Sequence, residues 1–258
     1  MIDKAEKGVL PWPVKVCFVR SSPLAIAIEA LTYTPEVEHL KLPLFFASMD
    51  CDYYLASAYR RYVSIVSLYD RLVTVAEEMK NMMDRFRPPS QAAITAFNSP
   101  AEEAYIAYME FDAYVTAART AQDKFMKLVA PTVRYFHKYE IPLSMNDYVG
   151  KLRADDFWAI VEKYWTDTGC MLRHYRVLVN HDDRVTPWPS YKYDTQTRAL
   201  YLPLPSNPAA KSAKKMIYNG PDLLQFTQSS LAKTQELMLQ AAHVISRSLS
   251  QNAPNTNA

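Results

Sequence analysis

Glycine is nearly missing from this chain: there are four in 258 residues, Gly8, Gly150, Gly169 and Gly220, and no two lie closer than 19 positions. The glycine-rich turn of a dinucleotide fold, a Walker loop and a G-x-S-x-G nucleophile elbow each need closely spaced glycines, so all three are excluded. Cysteine is equally sparse. Cys17, Cys51 and Cys170 are odd in number and widely scattered, which forbids a C-x-x-C zinc site and suits reduced thiols, so a cytoplasmic location is expected. Long apolar runs are also lacking. No basic leader followed by an apolar run opens the chain, and the most hydrophobic long stretch, 62–76, is broken by Asp70 and Arg71, so no membrane segment is expected.

What is present is a core-forming sequence, 49% hydrophobic and 22% charged, with a net charge of only +2. Four segments carry a 3.6-residue apolar rhythm and predict helices. The first follows Asp52 as N-cap and runs Leu55, Ala58, Tyr62, Ile65, Tyr69, Leu72, Ala76, Met79 and Met83, until Pro88-Pro89 stops it. The second opens on Ser99-Pro100-Ala101-Glu102, read as a capping box, and carries Tyr105, Tyr108, Phe111, Val115, Ala118, Phe125, Leu128 and Val129; Pro131 is expected to bend or end it. The third, 154–180, repeats Phe157, Val161, Tyr164, Thr168, Met171, Tyr175 and Leu178 like heptad core positions. The fourth spans 221–249 after the turn residues Asn219-Gly220-Pro221.

Residues 9–46 read differently. Val14, Val16 and Phe18 alternate, Ile26 and Ile28 follow, and Leu40, Leu42 and Leu44 alternate again among prolines, so residues 1–51 are expected to be an extended or β-stranded cover. At about 188–205, Tyr191 and Tyr193, the turn Asp194-Thr195-Gln196-Thr197, then Leu200, Leu202 and Leu204 predict a β-hairpin. The expected fold is mainly α: a four- to five-helix bundle over 52–251, a small β-hairpin before the last helix, a short extended N-terminal segment, and a disordered tail over 252–258.

Most chemistry-bearing residue types have a structural reading. Glu36-x-x-His39 is a lone half of a diiron signature, and His137 and His243 sit near helix ends or core positions without companions, so no metal or cofactor is expected. Many of the 18 tyrosines lie on the first two helices at the period of the buried stripe, where a ring fills the core and the hydroxyl keeps a partner or water; a nucleobase stacking on some of them is the alternative.

One stretch stands apart: Leu172-Arg173-His174-Tyr175-Arg176-Val177-Leu178-Val179-Asn180-His181. On a helical wheel with Tyr175 at zero, Arg176, Asn180 and Arg173 fall near 100°, 140° and 160°, and His181 and His174 near 240° and 260°. A guanidinium offers a planar fork for phosphate and an imidazole titrates near neutrality, so together they suit metal-free phosphodiester cleavage. Arg176 and His181 are about 140° apart, so one straight helix does not aim both at one phosphate; an antiparallel second copy in a homodimer would. Between 173 and 215 eight basic residues face three acidic ones, a local +5 in a chain of +2, and Lys211, Lys214 and Lys215 add to a field that attracts RNA phosphates. Asp112 on the second helix is a candidate partner for Arg176, either as a plain ion pair or as the group that positions it.

Arg176-x-x-x-x-His181, on the penultimate long helix of an all-helical chain, resembles the R-x(4-6)-H motif of the HEPN superfamily (higher eukaryote and prokaryote nucleotide-binding), over roughly residues 52–250. Val177 stands where members often carry Asn, Asp or His. The resemblance implies a homodimer whose Arg176 and His181 form a metal-independent ribonuclease site, or an RNA-binding module without cleavage, with Arg173 and Asn180 assisting and single-stranded RNA as ligand; many relatives are binding or accessory modules, and a cognate protein partner is not identified. The alternative is a non-catalytic helical scaffold or interaction protein whose Arg and His make only internal pairs. A third reading, a hydrolase with Ser, His and Asp drawn from distant loops, has no local signature.

Overall fold

The computed structural model describes residues 23–33, 39–88, 94–151, 155–182, 189–210 and 216–252. The fold is mainly α-helical with one small antiparallel sheet. The helices are α1 (Pro23–Thr32), α2 (Lys41–Phe86), α3 (Glu102–His137), α4 (Met145–Val149), α5 (Asp156–Tyr164), α6 (Cys170–Asp182) and α7 (Leu223–Asn252), with a π-helical turn at Trp165–Gly169. The strands are β1 (Ala96–Ser99), β2 (Tyr191–Asp194) and β3 (Leu200–Tyr201), in the order β1-β2-β3. Among the described residues, no helix is long and apolar enough to cross a membrane.

The N-terminal expectation is corrected. Residues 23–32 and 41–51 are helical, not an extended cover, while Val14, Val16 and Phe18 lie outside the described residues. Pro23 opens α1, where a missing N–H costs nothing, and Leu24, Ala27, Ile28 and Leu31 bury one face at helical spacing. Helix α2 starts eleven residues before the expected Asp52 cap boundary, at Lys41; Pro43 is tolerated because it falls in the first turn. The Leu40-Leu42-Leu44 alternation that suggests a strand is overridden by the buried set Leu44, Ala47, Cys51 and Leu55.

The chain forms two compact units, and α2, α3, α6 and α7 contribute residues to both. The first contains residues 1–57, 117–172 and 230–258. Its interior carries a polar chain: the Gln122 amide donates to the Tyr164 hydroxyl at 2.6 Å, which lies 3.0 Å from Thr234 Oγ1. Asp155 caps α5, accepting from the Trp158 backbone N–H at 2.8 Å and from the hydroxyls of Tyr148 and Tyr139. The π turn requires Gly169, because a Cβ there would lie 2.9 Å from the Tyr164 ring and 3.1 Å from the Trp165 ring. Pro131 neither ends α3 nor unwinds it; the helix continues to His137, with only the Lys127 carbonyl denied its intrahelical donor.

The second unit contains residues 58–116 and 173–229. The hairpin turn is set by Asp194, whose Oδ1 accepts from the N–H groups of Gln196 at 2.9 Å and Thr197 at 2.8 Å; these bonds hold its carboxyl below the usual range. Tyr191 and Tyr193 point inward, and both rings meet Phe97 of β1, a strand the sequence does not announce. Ser99 belongs to that strand, opposite Tyr191, so it is not the N-cap of α3; the first helical bond runs from Tyr105 N–H to the Ala101 carbonyl.

Beyond β3 the chain runs extended through Leu202-Pro203-Leu204-Pro205, and its polar groups are all directed to partners. Leu202 N–H donates to Asp222 Oδ1 at 2.9 Å, and Leu204 N–H donates to the Pro221 carbonyl at 3.0 Å. The Pro203 carbonyl accepts from Tyr108 at 2.9 Å, and the Pro205 carbonyl accepts from Tyr175 at 2.8 Å. Gly220 passes so close that a Cβ would lie 2.7 Å from the Leu204 carbonyl oxygen, which only glycine avoids. Asp222 joins these parts: it accepts from Tyr69 at 2.8 Å and caps α7 through the N–H groups of Leu224 at 3.1 Å and Gln225 at 3.2 Å. Burial pushes its carboxyl above the usual range, with the four donors pulling the other way.

Asp222→Ala strands the Tyr69 hydroxyl, the Leu202 N–H and the first turn of α7 in a buried setting. Thermal unfolding followed by circular dichroism should show a loss of about 3 kcal/mol or more, a fall in Tm of roughly 6–12 °C. Asp222→Asn, which keeps an acceptor oxygen, should recover part of it.

Candidate functional site

Helix α6 is anchored in the second unit by its inner face. Tyr175 is fully buried, its hydroxyl is held by the Pro205 carbonyl, and its ring meets Phe111 edge-on at 5.5 Å and Phe226 at 5.1 Å. Phe111 and Phe226 are themselves 6.0 Å apart, so three aromatic rings close on one another. Leu178, one turn on, is buried as well. With that face fixed inward, the rotation of the helix is fixed too.

The opposite face is open. Val177 and Asn180 are exposed, and Arg173, His174 and Arg176 are half-buried along the flanks. Arg61, Arg87, Arg119, Arg134, Arg198 and Arg247 each meet a carboxylate. Arg173 and Arg176 form no ion pair with any described residue, and in particular no ion pair joins Arg176 to Asp112, which sits half-buried on α3. The nearby Glu110 is engaged by Arg61 at 3.0 Å.

Two effects lower the pKa of His174. Its partial burial lowers its pKa below the ordinary histidine range, and the Arg173 guanidinium lowers it further. The same positive field acts on any anion that approaches the face.

Helix α6 continues through Asp182, so His181 belongs to its backbone, and no distorted last turn reduces the roughly 140° between the backbone positions of Arg176 and His181. The His181 side chain, and Lys211, Lys214 and Lys215, lie outside the described residues. Elsewhere in the basic stretch, Lys192 lies 5.6 Å over the Tyr201 ring and Arg198 pairs with Glu77 at 3.4 Å. The structure therefore brings Arg173, Arg176 and Asn180 onto one helix face and leaves Asp112 outside any ion pair with them.

Sequence reasoning did not single out a cleft of about 650 Å³ in the first unit, lined by His39, Leu40, Arg134, Tyr135, Glu140 and Ile141 among others. On its rim Arg134 and Glu140 pair at 3.2 Å, both exposed, which cancels the charge they would offer a ligand. Its marks in the sequence are Pro131, which also lines it, and His39 of the Glu36-x-x-His39 pair. His137 and His243 are exposed, Glu36 lies outside the described residues, and among the described residues no group of three His, Cys, Asp or Glu side chains is placed to hold a metal ion.

In an NMR titration His174 should give a midpoint below that of an ordinary histidine. Arg173→Gln should raise it only part of the way, since burial is the larger cause; an unchanged midpoint would mean that Arg173 does not shape the field of this face.

No protein-family model, no curated protein and no solved structure matches the chain.

Proposed function

We propose that the outer face of α6 binds the phosphate backbone of single-stranded RNA, in the manner of the HEPN group whose motif it resembles, with Arg173 and Arg176 as the anion anchors and Asn180 beside them. One observation carries the reading: Arg173 and Arg176 flank the exposed Val177 and Asn180, neither is in an ion pair with a described residue, and the rotation of their helix is fixed by Tyr175. A planar guanidinium recognises phosphate oxygens in two-point contacts, and clustered positive charge raises the local concentration of RNA.

His181 adds cleavage to binding, with two copies of the chain acting together. One His181 imidazole takes the 2′-hydroxyl proton as the 2′-oxygen attacks the adjacent phosphorus; the bond from phosphorus to the 5′-oxygen breaks, and the leaving oxygen takes a proton from the acid form of the second copy's His181. Arg176 stabilises the charge that grows on the phosphate oxygens. The products are a 2′,3′-cyclic phosphate and a 5′-hydroxyl. The scheme needs no cofactor. The angular separation of Arg176 and His181 on a regular helix supports a two-copy arrangement over a single-chain site.

Fluorescence anisotropy with a labelled single-stranded RNA tests the binding. Arg173→Gln with Arg176→Gln should weaken it about tenfold or more and flatten its dependence on salt by roughly 1.4 in the log–log slope. No affinity at low salt would overturn the reading. Incubation of mixed RNA in EDTA tests the cleavage: His181→Ala should abolish it while leaving the circular dichroism spectrum unchanged. Binding without cleavage by the wild type would leave the face as an RNA-binding module and remove the nuclease step.

A further inference from the structure

The first half of α2 is apolar on two opposite faces. Leu44, Ala47, Cys51 and Leu55 are buried, as a bundle helix requires. The reverse face carries Leu42, Phe46, Met49, Tyr53 and Ala56, at alternating steps of four and three, which is the spacing of coiled-coil core positions. Leu42 is 66% exposed, Phe46 57%, Tyr53 62% and the adjoining Phe45 44%. Charged and polar groups border this stripe: Lys41 lies 5.2 Å over the exposed Tyr33 ring, and Asp50 pairs with Lys124 at 2.5 Å. An apolar centre inside a polar rim is the anatomy of an interface.

We propose that this stripe pairs with the same stripe of a second copy of the chain, α2 against α2 in antiparallel fashion. The spacing is self-complementary. A two-fold axis level with residue 51 sets Phe46 opposite the small Ala56 of the other copy and Met49 opposite its Tyr53, and the same layers recur in reverse order beyond the axis. Bulky rings thus meet small or flexible neighbours, as interdigitated packing demands. The area is sufficient as well. These four exposures leave roughly 500 Å² of large apolar side chain open per copy. Self-pairing therefore removes up to roughly 1,000 Å² from water, the size at which specific interfaces begin. The stripe lies apart from Arg173 and Arg176 in the sequence and uses none of the residues assigned to RNA, so the pairing stands or falls independently of the RNA-binding reading, although the two-copy cleavage step needs a dimer as well.

Sedimentation velocity of the full chain over a concentration series tests it. The wild type should move from the 29.6 kDa monomer to a species of twice that mass by about 100 μM, where even a dimer of micromolar Kd is populated. Phe46→Asp and, separately, Tyr53→Asp each bury two charges at the two-fold interface and should raise the dissociation constant about a hundredfold. Met109→Asp, which alters an exposed apolar residue on α3, should leave the dimer intact. Both α2 positions are exposed, so helicity should match the wild type, and so should Tm at concentrations where the wild type is monomeric; two independent variants guard against a folding artefact. A wild type that stays monomeric throughout overturns the proposal. So does a dimer that survives both α2 substitutions, or one lost equally in Met109→Asp.

Discussion

Burying a tyrosine hydroxyl without a partner is costly, and bonds that satisfy such hydroxyls recur in both compact units. In the second, Tyr69, Tyr108 and Tyr175 project from three different helices, and each hydroxyl ends on a group outside any helix: the Asp222 carboxylate, the Pro203 carbonyl and the Pro205 carbonyl. Burial pushes the hydroxyl pKa of all three upward, so each remains a donor at any physiological pH. In the first unit the pattern recurs with Tyr164 between Gln122 and Thr234, and with Tyr139 and Tyr148 on the Asp155 cap. Apolar burial supplies the drive to collapse, but it is not directional. The phenolic bonds supply register, because a helix turned by one residue would leave its hydroxyl and a carbonyl both unsatisfied.

The long helices were legible in the sequence because their burial stripes largely follow their sequence stripes, although Tyr105, expected on the second stripe, is exposed. Leu55, Ala58, Tyr62, Ile65, Tyr69 and Leu72 are all buried, and so are Tyr108, Phe111, Val115, Ala118 and Phe125. The hairpin was legible too, since Asp194 and its successors carry their own turn chemistry. What escaped the sequence had no local signature. Helix α1 and the start of α2 are too short or too rich in proline for their period to outweigh a chance alternation of leucines. Strand β1 offers a single large apolar residue, Phe97, and exists through its partner β2 far along the chain. The π turn lies inside an unbroken apolar rhythm, and Gly169, whose missing side chain makes room for the Tyr164 ring, is its one outward sign.

The α6 face was legible in part. Its wheel positions place Val177, Arg173 and Asn180 furthest from Tyr175; Val177 and Asn180 are exposed and Arg173 is half-buried, because a residue with 0% exposure at the inner pole dictates the outer one. The wheel could not tell whether the guanidiniums would be spent on internal carboxylates. That depends on which acids neighbouring helices present. Glu110 is taken by Arg61 from α2, a pairing 49 residues apart that no local pattern encodes.

The alternation of proline and leucine after β3 has one more effect. Pro203 and Pro205 carry no N–H, so the strip Leu202-Pro203-Leu204-Pro205 has donors along one edge only, and Asp222 and Pro221 occupy them. Its other edge offers bare carbonyls at Pro203 and Pro205, each already claimed by a tyrosine. An incoming β-strand from a neighbouring molecule would find neither donors nor open acceptors there. The strip is thereby closed to the edge-on stacking that begins amyloid growth.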